Sequence, residues 1–465
     1  MGDVIEQLAR IVGEDDVLVG DRIDADADHD EALTVTPVRP LAVVRPGTTD
    51  EVAAIVALAR ATGTPLTARG SATGLAGGCV PAEGGIVVSF ARMNRILEID
   101  TANYVAVVEP GVTLRELEEA LTPLGLVYPV YPGELSASLG GNVATNAGGM
   151  RAVKYGVTRH QVLGVTAVLG TGEVITAGGK FVKSTSGYDL TQLIVGSEGT
   201  LAIVTRAVLK LWPRPPIATT VLVPFRTLEE VSSAVPPIVA SGIAPRVVEY
   251  IDFMSMAGIT SNAQMDLGIE ESVREAAMAY LVVVIEGFHP DRVDEDVAGL
   301  AELVSGLGAL DVYVLPEQAG ARLIEAREHA FWAAKAAGAH DIVDVVVPRA
   351  SIPEYLERVG ELAAAESSLV VGCGHAGDGN VHLSVFQPDP DTRRRLVHAI
   401  VAAGVAMGGA VSGEHGIGTE KKHSLAELED PVKLDLMRRI KSAFDPDGIL
   451  NPGKVFDPAP AGSAR

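Results

Sequence analysis

The sequence predicts an α+β protein of two domains or more. Three observations carry this. Apolar strands alternate with capped helices up to about residue 125, prolines cluster in "WPRPP" at residues 212–216, and beyond them amphipathic helices again alternate with strands. At 465 residues the chain also exceeds one ordinary core. The expected division is 1–216, 217–425 and 426–465.

Taken in order, "LAVVRP" followed by "GTTDEVAAIVALARAT" reads as a strand and then a helix. Thr48 and Glu51 have capping-box spacing, Val52, Ile55, Val56 and Ala59 form an apolar stripe, and Gly63 can end the helix. "TPLTARG" starts as a strand and runs into the glycine-rich "RGSATGLAGG". After "GGIVVSF", the stretch "VAVVEPGVTLRELEEALTPLG" repeats the strand and capped helix, with Thr113 and Glu116 in the capping positions. A second glycine tract occupies residues 131–156. Short apolar strands follow from Val162 to Leu211, and past the prolines "AYLVVVIEG" and "LDVYVL" read as strands.

Composition narrows the functions. The formal charge of −23 repels phosphate backbones and anionic headgroups, which argues against nucleic acid and electrostatic membrane partners. Two cysteines, Cys79 and Cys373, exclude a disulfide framework and any four-cysteine metal site in this chain. With no signal-peptide pattern and no run of about 18 apolar residues, the expectation is a cytoplasmic protein; peripheral attachment to the inner face of a membrane through a partner stays open, as does homo-oligomerisation.

Glycine clusters let backbone amides approach an anionic group closely. Two such tracts in one lobe point to a large phosphate-bearing ligand, although each alone also reads as an ordinary loop. Neither has the GxGxxG spacing of a dinucleotide-binding βαβ unit, and no GxxxxGK[ST] occurs.

"GHAGDGNVH" brackets a polar loop with His375 and His382. If "NVHLSVF" is a strand, Asn380, His382 and Ser384 share one face while Val381, Leu383 and Val385 meet a core. "SGEHGIG" adds Glu414 and His415. Two imidazoles and a carboxylate can hold a divalent metal with positions left for substrate, and neighbours in extended chain point apart, so Glu414 can ligate while His415 faces elsewhere. The plainer alternative is a set of hydrogen-bonded histidines.

"PLTARGSATGLAGG", "SLGGNVATNAGGMRAVKYG" and "GSEGTLAIVT", in this order, resemble the PCMH-type FAD-binding domain of the vanillyl-alcohol oxidase and p-cresol methylhydroxylase superfamily. With "GHAGDGNVH", "GEHGIG" and "FDPDGILNPGK", the chain resembles the FAD-linked 2-hydroxyacid oxidases, a group holding D-lactate dehydrogenases, the FAD subunit of glycolate oxidase and D-2-hydroxyglutarate dehydrogenase. The resemblance implies a two-lobed FAD-binding domain, an α+β substrate (cap) domain with an antiparallel sheet, and a C-terminal segment that returns to the FAD-binding domain. It implies that Arg69, Gly70, Ser71, Ala72, Thr73 and Gly74 wrap the FAD pyrophosphate. Gly140, Gly141, Asn142, Asn146 and Gly149 would line the flavin, helped by Pro132, Gly133, Ser136, Thr145, Gly148, Tyr155 and Gly156. Glu198, Gly199 and Ile203 would meet the adenosine end and Asn451 would return to the flavin. No histidine stands near Ser71, so FAD is expected to be non-covalent. The same resemblance makes His375, His382 and Glu414 ligands of a divalent metal, zinc first, with manganese or iron as alternatives. His415 would be the base, with hydride passing from the α-carbon to flavin N5.

"AREHAFWAAK" offers Arg327 and Lys335 as catalytic-site cations, and Arg327 matches the family's carboxylate-binding arginine. Phe331 and Ile342 stand where D-2-hydroxyglutarate dehydrogenases carry polar groups, which favours monocarboxylates such as D-lactate or glycolate over a second carboxylate in an apolar pocket. The acceptor stays open between quinone, cytochrome, electron-transfer flavoprotein, oxygen and a partner subunit. A metallohydrolase and a non-enzymatic flavin-binding module are the rival readings.

Overall fold

The computed structural model describes residues 2–457, and three main sheets organise them. The first has four strands in the order Val17–Leu18, Ala42–Val44, Ile86–Ser89, Leu66–Arg69, parallel except at the first pairing. The second is antiparallel, in the order Ile96–Asp100, Val105–Val108, Ala202–Lys210, Val162–Leu169, Val174–Gly178. Both faces of the parallel strands are covered, which explains why they read as short uninterrupted apolar runs.

The expected helices form where their caps stand. Thr48 accepts from the Glu51 amide, Gly63 closes the helix Thr49–Thr62 in a left-handed conformation, and the whole stripe Val52, Ile55, Val56, Ala59 is buried. Thr113 and Glu116 make a complete capping box on Leu114–Leu121. Ile449 and Leu450 pack into the core shared by these elements, with Leu450 bridging Leu66, so the C-terminal segment does return to the first lobe.

The second lobe is a seven-stranded antiparallel sheet in the order Tyr313–Val314, Ile217–Phe225, Ala279–Gly287, Val247–Asp252, Leu369–His375, Asn380–Phe386, Asp341–Val346. The helices Leu228–Ala240, Pro290–Ser305, Ile352–Ala365 and Pro390–Ala406 lay buried residues into its core. Phe253–Asn262, Glu317–Glu328 and Ala330–Ala336 contribute to the functional face.

Three local features differ from the sequence reading. "LDVYVL" forms a strand only at Tyr313 and Val314, because Leu310 turns back to the Pro224 carbonyl. The second glycine tract contains a helix, Leu139–Thr145, begun by Ser138. "WPRPP" is docked rather than free: Trp212–Pro213 pairs with Leu126–Val127, the Trp212 Nε1 donates to Gln161, and Arg214 meets Glu118 at 2.7 Å. Proline at an edge position costs no ladder donor, so the cluster can both end a lobe and pack on it.

Leu450 is completely buried at the junction of the C-terminal segment and the parallel sheet. Leu450→Ala is expected to cost about 2–5 kcal/mol, read as a lower thermal midpoint; an unchanged midpoint would show that the returning segment does not support the first lobe.

Candidate functional site

The two glycine tracts meet at one serine. Ser138 Oγ accepts from the amide of Gly141 in its own helix and from that of Ser71 in the first tract, both at 3.3 Å. The approach demands glycine: a Cβ on Gly70 would lie 1.9 Å from Ser138 Oγ, and one on Gly140 2.5 Å from Pro110 Cβ. Between them runs a cleft lined by residues 69–74, Pro132, Gly140, Gly141, Asn142, Thr145, Gly148, Glu198, Gly199 and Ile203. Asn142 is buried there with its side-chain Nδ2 unpartnered. An unpaired buried donor in a glycine-walled cleft suits a ligand rich in acceptors, as FAD is.

The remaining predicted cofactor residues are placed otherwise. Arg69 borders the cleft, but its guanidinium donates to the His29 carbonyl at 2.7 Å. Asn146 caps its helix in a left-handed conformation and accepts from the Arg159 amide. Gly133 and Gly149 border the neighbouring cavity instead. Ser136 and Gly156 line neither. Tyr155 donates to Glu286 of the second lobe, a group also paired with Lys154 and Arg246. Asn451 donates to the carbonyls of Gly78 and Glu198 and accepts from Thr67, so its side chain clasps the cleft wall. The Glu198 carboxylate accepts from the amides of Ile417 and Gly418 at 2.8 and 2.7 Å, which joins the cleft to the loop carrying Glu414 and His415.

A second cavity of about 690 Å³ adjoins the cleft and shares Pro132, Glu414 and His415 with it. At its floor the strands Leu369–His375 and Asn380–Phe386 present His375 and His382. The expected alternation holds: Val381, Leu383 and Val385 are buried in the core while His382 and Ser384 face the cavity. His375 Nε2 and His382 Nε2 lie 3.1 and 3.2 Å from Glu414 Oε1, and one ligand atom from each residue falls within 4.8 Å of the others. The three can therefore converge on one ion.

Two buried carboxylates set this geometry. Glu249 accepts from His375 Nδ1 at 2.6 Å, which turns Nε2 toward Glu414, the usual support for a metal-binding imidazole. Despite burial, His375 is held well above the ordinary histidine range by Glu249 and Glu414, and Glu414 well below the carboxylate range by His375 and His382.

Asp344 is the second. Its Oδ2 accepts from the Ser412 hydroxyl and from the amides of Gly413, Glu414 and His415 at 2.8–3.1 Å, with Lys421 Nζ at 3.2 Å. Asn380 donates to Oδ1. A Cβ on Gly413 would sit 2.2 Å from Asn380 Nδ2, so only glycine lets the loop wrap the acid this tightly. Asp344 is held well below the usual range, burial being outweighed by Lys421, His415 and His382.

His415 stacks on His382 with ring centroids 5.3 Å apart. Burial pushes its pKa down to about 4, with Lys421 and His382 adding to the effect, so the ring is neutral at neutral pH. Arg327 is 6% exposed; its Nη2 lies 2.7 Å from Glu249 but out of hydrogen-bond alignment, leaving Nε and Nη2 without partners. Arg327 itself borders the cavity. Lys335, predicted beside Arg327, is not part of this lining. On the helix Ala330–Ala336 the cavity is met by Phe331 and Ala334, and Lys335 projects from the outer side, where it pairs with Glu31 at 2.8 Å and lies over the Trp332 ring.

The chain matches the family model "FAD linked oxidases, C-terminal domain" over residues 214–455 and "FAD binding domain" over residues 40–178. It belongs to the FAD-linked oxidases. An uncharacterized FAD-linked oxidoreductase of Mycobacterium tuberculosis is 54% identical, over 98% of this chain and 99% of that one. A D-lactate dehydrogenase of Archaeoglobus fulgidus is 40% identical over 89% and 90%. The solved structure of p-cresol methylhydroxylase with substrate bound shares the fold at a TM-score of 0.82 and 18% identity, over 98% and 97% of the two chains. This FAD-linked oxidase is therefore an oxidoreductase, and among the described residues no helix is long and apolar enough to cross a membrane.

Glu249 and Asp344 were missed in the sequence. The available signal was a single acid inside each of two apolar strands, "VVEYID" and "DIVDVVV"; a buried charge is retained only where it is paired. Asp344→Ala would strand Lys421 and free four loop donors. It is expected to destabilise the protein by roughly 3–5 kcal/mol and to expose residues 412–421 to limited proteolysis; an unaltered melt and digest would remove Asp344 from its organising role.

Proposed function

We propose that this FAD-linked oxidase converts a 2-hydroxy monocarboxylic acid, the class of D-lactate and glycolate, into the 2-oxoacid. The observation that carries the reading is the meeting, in one cavity beside the cofactor cleft, of a neutral buried histidine, an arginine with unpartnered donors, and a His, His, Glu cluster.

Arg327 takes the substrate carboxylate, since its guanidinium is the lysine or arginine charge among the described residues bordering the cavity. His375, His382 and Glu414 would hold a divalent ion, zinc first among the candidates, supplying Lewis acidity at the hydroxyl. His415 removes the hydroxyl proton at Nε2, the edge opposite the Nδ1 that lies 3.9 Å from Asp344. Asp344 holds the ring in place through the backbone and steadies the charge it gains. Residues 69–74 and 140–142 would hold FAD, which when bound supplies the hydride acceptor. The wall of Ala, Phe and Ile side chains keeps bulk water from the reacting carbon.

The test is anaerobic titration of the metal-replete holoenzyme with D-lactate, L-lactate, glycolate and D-2-hydroxyglutarate, following the flavin absorbance. A monocarboxylate should bleach it; yellow protein that no acid bleaches would overturn the reading, and colourless protein that gains no colour with FAD would overturn the cofactor assignment. His415→Ala should keep FAD and lose about 10²–10⁴-fold in flavin reduction rate. In the unaltered enzyme kcat/KM should fall as pH drops toward about 4, where His415 becomes protonated and can no longer accept. Near-normal reduction by the variant would remove His415 from the role of base.

His382→Ala should lose the metal while keeping FAD, by elemental analysis of dialysed protein. Undiminished metal content would sink the ligand assignment.

A further inference from the structure

The cavity is far larger than lactate needs. About 690 Å³ is the size of a pocket for a drug-sized ligand; Arg327, His375, His382, Glu414 and His415 gather at one end, and uncharged Ser255, Ser261, Asn262 and Ser384 also line it.

Away from that end the walls change character in a directional way. Along the strand Leu369–His375 every second residue borders the cavity: His375, Cys373, Val371 and Leu369. Its partner strand does the same with His382, Ser384 and Phe386. One face of this hairpin therefore runs from the imidazoles outward over Cys373, Val371, Ser384, Leu369 and Phe386, apolar except at Ser384, and four residues of strand from His382 to Phe386 span about 13 Å. Leu369 at the far end is 44% exposed, so the row leads to the surface. Facing it, Met254 and Ile259 come from one helix and Phe331 from another. Ala330, Ala333, Ala334 and Ala337 bring only methyl groups to the same wall and so leave its width open.

The charges decide what can fill this space. Among the described residues bordering the cavity, Arg327 is the only lysine or arginine, while Glu328 adds an acid. A distal carboxylate would find no cation to pair with and only neutral donors such as Ser384 and Asn262, whereas an alkyl chain would leave water for the apolar part of the wall.

We infer that the substrate is a 2-hydroxyacid with a long apolar side chain, a medium-chain aliphatic acid such as D-2-hydroxyoctanoate, the chain lying along the hairpin toward Leu369. This rests on the reading of the site as a 2-hydroxyacid oxidase, and names the part of the substrate that reading leaves open.

Two measurements on the purified holoenzyme test it. The first is calorimetric binding of unreactive carboxylates. Octanoate should bind more tightly than acetate by about fourfold for each methylene that enters the cavity, and Ala334→Phe, which fills the wall, should reduce the octanoate-to-acetate ratio at least tenfold. The second is the anaerobic rate of flavin reduction across D-lactate, D-2-hydroxyhexanoate, D-2-hydroxyoctanoate and D-2-hydroxyglutarate. The kcat/KM should rise through the octanoate homologue and be lowest for the dicarboxylate. Octanoate binding no tighter than acetate, or D-lactate reducing the flavin as efficiently as the eight-carbon acid, overturns the inference. Tight octanoate binding with no bleaching by any hydroxyacid would instead overturn the oxidation chemistry and leave the long-chain cavity standing.

Discussion

A carboxylate sealed inside a protein must be surrounded by donors, and Asp344 obtains its donors from the loop that carries the chemistry. Ser412, Gly413, Glu414 and His415 all bond one oxygen of this acid, and Lys421 supplies the compensating charge. The positions of Glu414 and His415 follow from this single constraint, because their amides cannot leave the acid without stranding it. Glu249 acts in the same way on the other side, orienting His375 and lying beside Arg327. Both acids stand on strands of the seven-stranded sheet, so the rigidity of the sheet passes directly to the groups that meet substrate.

The same loop ties the lobes together. Glu198 belongs to the first lobe by sequence, yet its carboxylate holds the amides of Ile417 and Gly418. Asn451 then fixes the backbone carbonyl of Glu198 itself. The cofactor cleft and the substrate cavity thus share a wall built from three distant stretches of chain, and neither is complete before all three have come together.

Much of this was legible in the sequence because local rules agreed with the tertiary result. The caps at Thr48 and Thr113, the buried stripe from Val52 to Ala59, and the alternation through "NVHLSVF" each depend on near neighbours, and each appears as read. The grouping of His375, His382 and Glu414 was legible from donor chemistry and motif order. The side chains whose partners were not legible depend on distant stretches of chain. Lys335 looked like a second cation for substrate, but its rotation on the helix and the presence of Glu31 some three hundred residues earlier take it outside. Asn451 and Tyr155 were read as cofactor contacts, whereas their hydrogen bonds are made to backbone and to Glu286. Glycine composition concealed the helix Leu139–Thr145, since Gly140 and Gly141 are poor helix formers that close packing on Pro110 and Ser138 nevertheless requires.

Much of the apolar wall of the cavity comes from three short pieces of the second lobe, the helix Phe253–Asn262, the helix Ala330–Ala336 and the outer ends of one hairpin, while Leu75 and Pro132 line both the cavity and the glycine-walled cleft. The three pieces themselves supply no wall of the cleft. Substitutions can therefore accumulate along them, one methyl or ring at a time, while the cleft is inherited unchanged; a scaffold divided in this way can reshape one cavity without rebuilding the other.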